Sequence, residues 1–178
     1  MNNLNNNRGF TLIELLAVIV ILAIVMVLAS SSILPFMRNA GRDAFVLEAN
    51  GAIDAASNAI SLITIGSIGL DGSYGSNTAP DAADYKRDVS KNEYCFSIKY
   101  LVDNGLFDLD ESSLYDAEHN KNGYRGVVKA SKSGNSYSYT VYLINDEFYV
   151  KDEENTVKED EVKSYSSSLP SGFITTCN

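Results

Sequence analysis

Charge is almost missing from the first fifth of this 178-residue chain. Of its 37 Asp, Glu, Lys and Arg residues, only Arg8 and Glu14 precede Arg38. A uniform globular domain does not distribute charge in this way, so the chain divides into an apolar beginning and a polar remainder. Other chemistry is scarce too. One histidine, two cysteines and no tryptophan leave little for metal or triad chemistry, and Cys95 and Cys177 cannot form a zinc site on their own. The lone His119 sits in a polar stretch (HNKNG), and neither a nucleophile-base pair nor a glycine-rich phosphate loop is present, so no enzyme activity, metal or cofactor is expected. Basic residues are outnumbered 14 to 23, a net charge of −9, which repels phosphate backbones and speaks against a nucleic-acid partner. No internal repeat is visible, and the length suits one domain.

What the beginning does have is a long hydrophobic run. Phe10 to Ala29 reads FTLIELLAVIVILAIVMVLA, in which 18 of 20 residues are apolar and the exceptions are Thr11 and Glu14. As a helix it is roughly 30 Å long, the thickness of the hydrocarbon core of a bilayer. The polar leader before it carries Arg8 and the initiating amine, which keeps that end cytoplasmic and sends the rest of the chain outward. A secretory signal cut after Val27-Leu28-Ala29 and a permanent single-span anchor are both open on these features. Neither accounts for Glu14, because an ionised carboxylate within a span costs on the order of 2.5 to 3.5 kcal/mol.

Arg8-Gly9-Phe10-Thr11-Leu12-Ile13-Glu14-Leu15, followed by the uninterrupted apolar run, resembles the class III signal of type IV pilins and their pseudopilin relatives. The resemblance implies a leader, residues 1–9, that a membrane-embedded prepilin peptidase removes by cutting after Gly9. It implies N-methylation of the new terminus at Phe10. It also implies that Glu14 pairs with the terminal amine of a neighbouring subunit during assembly. The Asn-, Lys- and Tyr-rich composition is similar to that of Gram-positive, clostridial-type major pilins. Bottom-up chemistry agrees: glycine lets an enzyme approach the backbone closely, and a carboxylate one turn into a helix complements its dipole.

After the membrane run, residues 30–65 read as the amphipathic half of the same helix. Pro35 removes one backbone hydrogen bond and crowds the carbonyl of Ser31, so a kink is expected there; pilin helices commonly carry a proline in this region. Val46, Ala49, Ile53, Ala56, Ile60 and Ile63 then form one apolar stripe. Residues 66–178 are the exported head. Gly66 to Tyr85 reads as a long loop, and Cys95 to Val102 as a short helix stopped by Asn104-Gly105. Three strand candidates follow, Tyr124–Ala130, Ser136–Ile144 and Glu147–Lys151, whose short connections make an antiparallel meander. Period two puts Tyr137, Tyr139, Val141 and Leu143 on one face, assigned to the helix stripe. The expected fold is α+β, a long N-terminal helix on a small antiparallel sheet, which is the pilin fold.

Three further features carry expectations. Asp146 to Glu161 holds eight acids and two lysines and reads as a solvated surface, with a cation or partner site as the alternative. Asp108-x-Asp110-x-Ser112 opens like a calcium loop, but Ser113 and His119 stand where that pattern needs Gly and Glu. Cys95 and Cys177, the two thiols of an exported chain, are candidates for a disulfide; many pilins staple the C-terminal segment to the sheet in this way. The expected function is a structural subunit of a type IV pilus, a homopolymer used in adhesion, motility or aggregation. It would be held in the cytoplasmic membrane before assembly and be extracellular after it. A pseudopilin of a secretion or competence machine is the alternative, and an anchored surface protein with an ordinary signal a further one.

Overall fold

A computed structural model of the chain describes residues 10–74, 79–116 and 123–178; Arg8, Gly9 and His119 lie outside these. Contacts divide the chain into two compact units, Met1–Gly41 and Arg42–Asn178. One helix, α1 (Leu12–Thr64), supplies residues to both.

In the second unit α1 buries one stripe: Phe45, Ala49, Ala52, Ile53, Ala56, Ala59, Ile60 and Ile63 are all at or below 5% exposure. Steps of three and four keep these on one face, as the sequence pattern requires. The stripe opens on Phe45 and not on Val46, which is only partly buried beside it. Phe45 stacks on Tyr124 and leans on Phe148, so an aromatic anchors the start of the packed half.

The sheet has six strands: β1 (Tyr85–Asp88), β2 (Glu93–Ser97), β3 (Arg125–Ser133), β4 (Ser136–Ile144), β5 (Phe148–Asp152) and β6 (Lys163–Ser164). Their spatial order is their chain order, and every neighbouring pair is antiparallel. The three expected strands are β3, β4 and β5, so the meander is longer than its sequence signal on both sides. β3 runs to Ser133 and turns through Gly134 (φ +63°) and Asn135 alone, a two-residue connection that a left-handed glycine permits. Gly126 is needed for another reason, since a Cβ there would lie 1.8 Å from the Tyr142 carbonyl oxygen across the β3–β4 ladder.

The expected helix from Cys95 to Val102 is corrected at its start. Cys95 belongs to β2, and α2 covers Ile98–Asp103. Ser97 makes the switch: its hydroxyl accepts from the Tyr100 amide at 3.0 Å and donates to Asp84 at 2.9 Å, an N-cap placed at the end of a strand. Asn104 and the left-handed Gly105 (φ +66°) close α2. The loop before β1 is tied down by two tyrosines, with Tyr100 donating to the Gly72 carbonyl at 2.7 Å and Tyr85 to that of Leu70 at 3.3 Å.

Both faces of the sheet are used. Phe96, Val128, Ala130, Val141, Leu143 and Val150 pack with the α1 stripe, and Tyr137 and Tyr139 lie against that cluster. On the other face Cys95, Val127 and Tyr142 form a smaller cluster with Cys177, covered by Phe173 and Ile174. Phe173 meets Tyr142 and Tyr149 edge-on. Cys95 and Cys177 are joined in a disulfide, with Cα atoms 5.6 Å apart and a sequence separation of 82.

The excursion between β5 and β6 is pinned to α1. Asn50 donates to the Val157 carbonyl at 3.0 Å and accepts from the Val157 amide at 2.8 Å, while Val157 and Val162 enter the core. Its acids Glu153, Glu154, Glu159 and Asp160 are exposed, as a solvated surface requires. Asp152 departs from that expectation. It is buried, its Oδ1 accepts from the Glu154 amide, and its Oδ2 has no partner. Burial, reinforced by Glu161 and Glu154, raises its carboxyl above the ordinary Asp range. Asp110 caps the short turn Glu111–Ser113 by accepting from the Ser112 amide at 2.7 Å.

Two expected outcomes follow from this packing. Reduction, or Cys95→Ser with Cys177→Ser, lowers head stability by about 2–5 kcal/mol, read by urea unfolding of the full chain in detergent. A carboxyl raised in the folded state makes folding take up a proton, so stability falls as pH rises from the unfolded value of about 3.9 through the folded one. Asp152→Asn removes that slope and raises stability at pH 7 by about 1 kcal/mol, seen as a higher unfolding midpoint at pH 7. A lower midpoint would contradict this account.

Candidate processing and assembly segment

The site that the sequence singled out lies at the start of α1, in the first unit. Thr11-Leu12-Ile13-Glu14 has the spacing of a capping box, with a hydroxyl residue at the cap and an acid three positions on. The structure forms it. The Thr11 amide and hydroxyl both donate to Glu14 Oε2 at 2.8 Å, and the Glu14 amide approaches the Thr11 hydroxyl oxygen at 3.3 Å. The spacing is legible in the sequence, yet the dipole and assembly roles expected of Glu14 leave out the cap and its partner Thr11. The cap is why α1 starts at Leu12: two of the amides left over at a helix end find acceptors in the helix's own side chains.

Beyond the cap the helix surface is almost wholly hydrocarbon. Leu12–Ala29 has a mean hydropathy of 3.2 and none of it is buried. Phe10 is 85% exposed, and even the best covered large side chain of the run, Val20, is 48% exposed. Each such Leu, Ile or Val left in water forgoes about 1.5–3 kcal/mol. At about 1.5 Å per residue these 18 residues span roughly 27 Å, close to a bilayer core. A helix of this length and composition can cross a membrane.

On this surface Glu14 is the one ionisable group. The capping box gives its carboxylate two hydrogen bonds without water, which is what a charge near the edge of an apolar phase needs. A cationic group brought to it there would meet an acceptor already held in place. Pro35 lies inside α1, and the helix continues through it. The proline has no amide to offer the Ser31 carbonyl.

The predicted site residues thus fall in separate places. Phe10, Glu14 and Pro35 belong to the first unit, and Gly9, the expected scissile residue, is outside the described residues. Cys95 and Cys177 are brought together in the second unit. Among the described residues no three His, Cys, Asp or Glu side chains converge on a metal position.

Comparison with known proteins gives one match. No curated protein and no solved structure matches the chain. The family model of the prokaryotic N-terminal methylation motif matches residues 4–30, the leader and the apolar run together. That motif implies processing by a prepilin peptidase and handling by pilus assembly machinery. Carried by a chain that continues as a long helix and a six-stranded antiparallel sheet, it supports a type IV pilin-like prepilin.

Proposed function

We propose that this chain is a structural subunit of a type IV pilus. The leader, residues 1–9, is removed after Gly9, Phe10 is N-methylated, and the subunit polymerises with copies of itself through its N-terminal helix into a surface fibre. One observation carries the reading: the methylation motif, residues 4–30, takes in an 18-residue apolar helix of which nothing is buried. Cutting before such a helix leaves it attached, so the product stays in the membrane as a store of subunits. The same surface then changes cover, from lipid to the helices of other subunits.

Glu14 gives the exchange its register. A lone carboxylate on a hydrocarbon surface is expensive in any helix bundle unless a cation meets it, and the cut at Gly9 creates one, the amine of Phe10. Pairing the amine of one subunit with Glu14 of the next neutralises both and fixes the axial offset between copies. The head stays in water, where its acids repel phosphate and keep the fibre soluble. Before assembly the protein is held in the cytoplasmic membrane; afterwards it is extracellular.

Mass spectrometry of the mature protein tests the reading directly. The expected N-terminus is N-methyl-Phe10; a chain that starts at Ser30 or keeps Met1 sinks it. Glu14→Ala should still be cut, while filament yield falls about tenfold or more, the factor that about 1.4 kcal/mol represents. Normal filaments from that variant would remove the charge pair.

A further inference from the structure

The head carries a second contact surface that the N-terminal helix does not explain. Where α1 ends, the helix-side face of the sheet continues as a partly open shelf. Its residues come from four strands: Arg87 on β1, Tyr94 on β2, Lys132 on β3, and Tyr137 and Tyr139 on β4. Register sets them side by side, with Arg87 opposite Tyr94, Tyr94 opposite Ala130, Ala130 opposite Tyr139, and Lys132 opposite Tyr137.

The side chains lock together. The Arg87 guanidinium lies 5.5 Å from the Tyr94 ring and the Lys132 ammonium 5.7 Å from the Tyr137 ring, while Tyr94 and Tyr137 meet edge-on at 6.2 Å. A cleft of about 100 Å³ opens between Arg87, Tyr94, Lys132 and Tyr137. On the far side of Tyr137 a groove of about 260 Å³ runs between Tyr139 and the last turns of α1. Alternation along the strands turns Asp88 and Glu93 toward the opposite face, where Asp88 pairs with Lys91 at 3.6 Å; both also border the cleft, while the tyrosine face contributes two cations. Among the described residues neither Arg87 nor Lys132 pairs with a carboxylate. Rigid tyrosines beside a cation, partly buried and preorganised, have the composition of an interface hot spot.

The complementary surface is on the same chain. Glu153 to Glu161 holds five acids and one lysine, and this segment is held rigid by Asn50 at Val157 and by Asn155, which accepts from the Tyr139 amide at 2.9 Å. It flanks β4 on the side away from β1, so Arg87 on β1 and the acids stand on opposite sides of the shelf, with Lys132 on β3 between them. Two different patches that fit each other make a head-to-tail contact, which propagates from copy to copy and does not close into a dimer.

We propose that the Arg87–Tyr94–Lys132–Tyr137 shelf docks the acidic segment Glu153–Glu161 of a second copy of this chain. The contact rests on the homopolymer reading above and adds a head-to-head bond to the helix-to-helix one. It sets which face of each head turns toward its neighbour. Charge attraction brings the borders together, and the tyrosines supply the apolar area.

A photo-cross-linking benzophenone amino acid placed at Val89, an exposed position at the lip of the cleft, tests this in the full chain in its producing cells. The expected product has twice the subunit mass, with the link mapped by peptide mass spectrometry to residues 153–161. Its yield drops about tenfold or more with Arg87→Glu plus Lys132→Glu and recovers when Glu159→Lys and Glu161→Lys are added. High salt lowers it in the same direction. Links to another segment, no double-mass product, or a yield indifferent to charge reversal would overturn the docking. The mature N-terminus, measured on the same sample, reports separately whether the pilin reading itself stands.

Discussion

One helix carries two apolar surfaces that cannot be satisfied by the same partner. From Leu12 to Ala29 the surface is hydrocarbon all round and nothing in its own unit covers it. From Phe45 to Ile63 it narrows to a stripe, and a sheet covers that stripe completely. The first surface demands lipid or other helices, and the second demands a domain. The distribution of charge follows directly: 35 of 37 charged residues lie beyond the point where the helix still faces hydrocarbon. The head is the domain that answers the stripe, and the unburied run is what calls for lipid or other helices.

The two exceptions to that distribution both fall within the matched methylation motif. Arg8 precedes the apolar run, and Glu14 stands in the cap of α1. With Thr11 donating twice to its carboxylate, Glu14 is not a stray charge in a greasy segment but part of the structure that starts the helix. A group that both caps a helix and presents a negative charge at a membrane border is well suited to be read by whatever docks there. The head answers differently, with aromatic rows and a solvated acidic excursion, because its contacts form in water, where hydrophobic burial supplies attraction and charge supplies selection.

How far the sequence revealed this depended on how local each signal was. The apolar run, the T-x-x-E cap and the stripe of α1 are all written in consecutive residues, and β4 was legible to the residue because SYSYTVYLI is long and rich in β-formers. β1 was not, since Tyr-Lys-Arg-Asp is short and polar and becomes a strand only through pairing with β2. β2 was hidden because Cys-Phe-Ser runs without a break into Ile-Lys-Tyr-Leu-Val; the boundary is a single hydroxyl, that of Ser97. Phe45 was passed over because Val46 kept an equally regular spacing. The cover of the sheet's outer face by Phe173 and Ile174 has no local signature at all, as it depends on where Cys177 is tied.

That tie has a mechanical meaning. The stretch between Cys95 and Cys177 is 82 positions long, a contour of roughly 270–300 Å if drawn out. It contains β3 to β6, and closure by a covalent bond means that tension entering near the C-terminus passes through the disulfide to β2 without lengthening the loop. Those strands can loosen, but they cannot be paid out as slack. Load that reaches such a head at its C-terminal segment therefore passes to β2 and leaves the intervening stretch at the contour it had at rest.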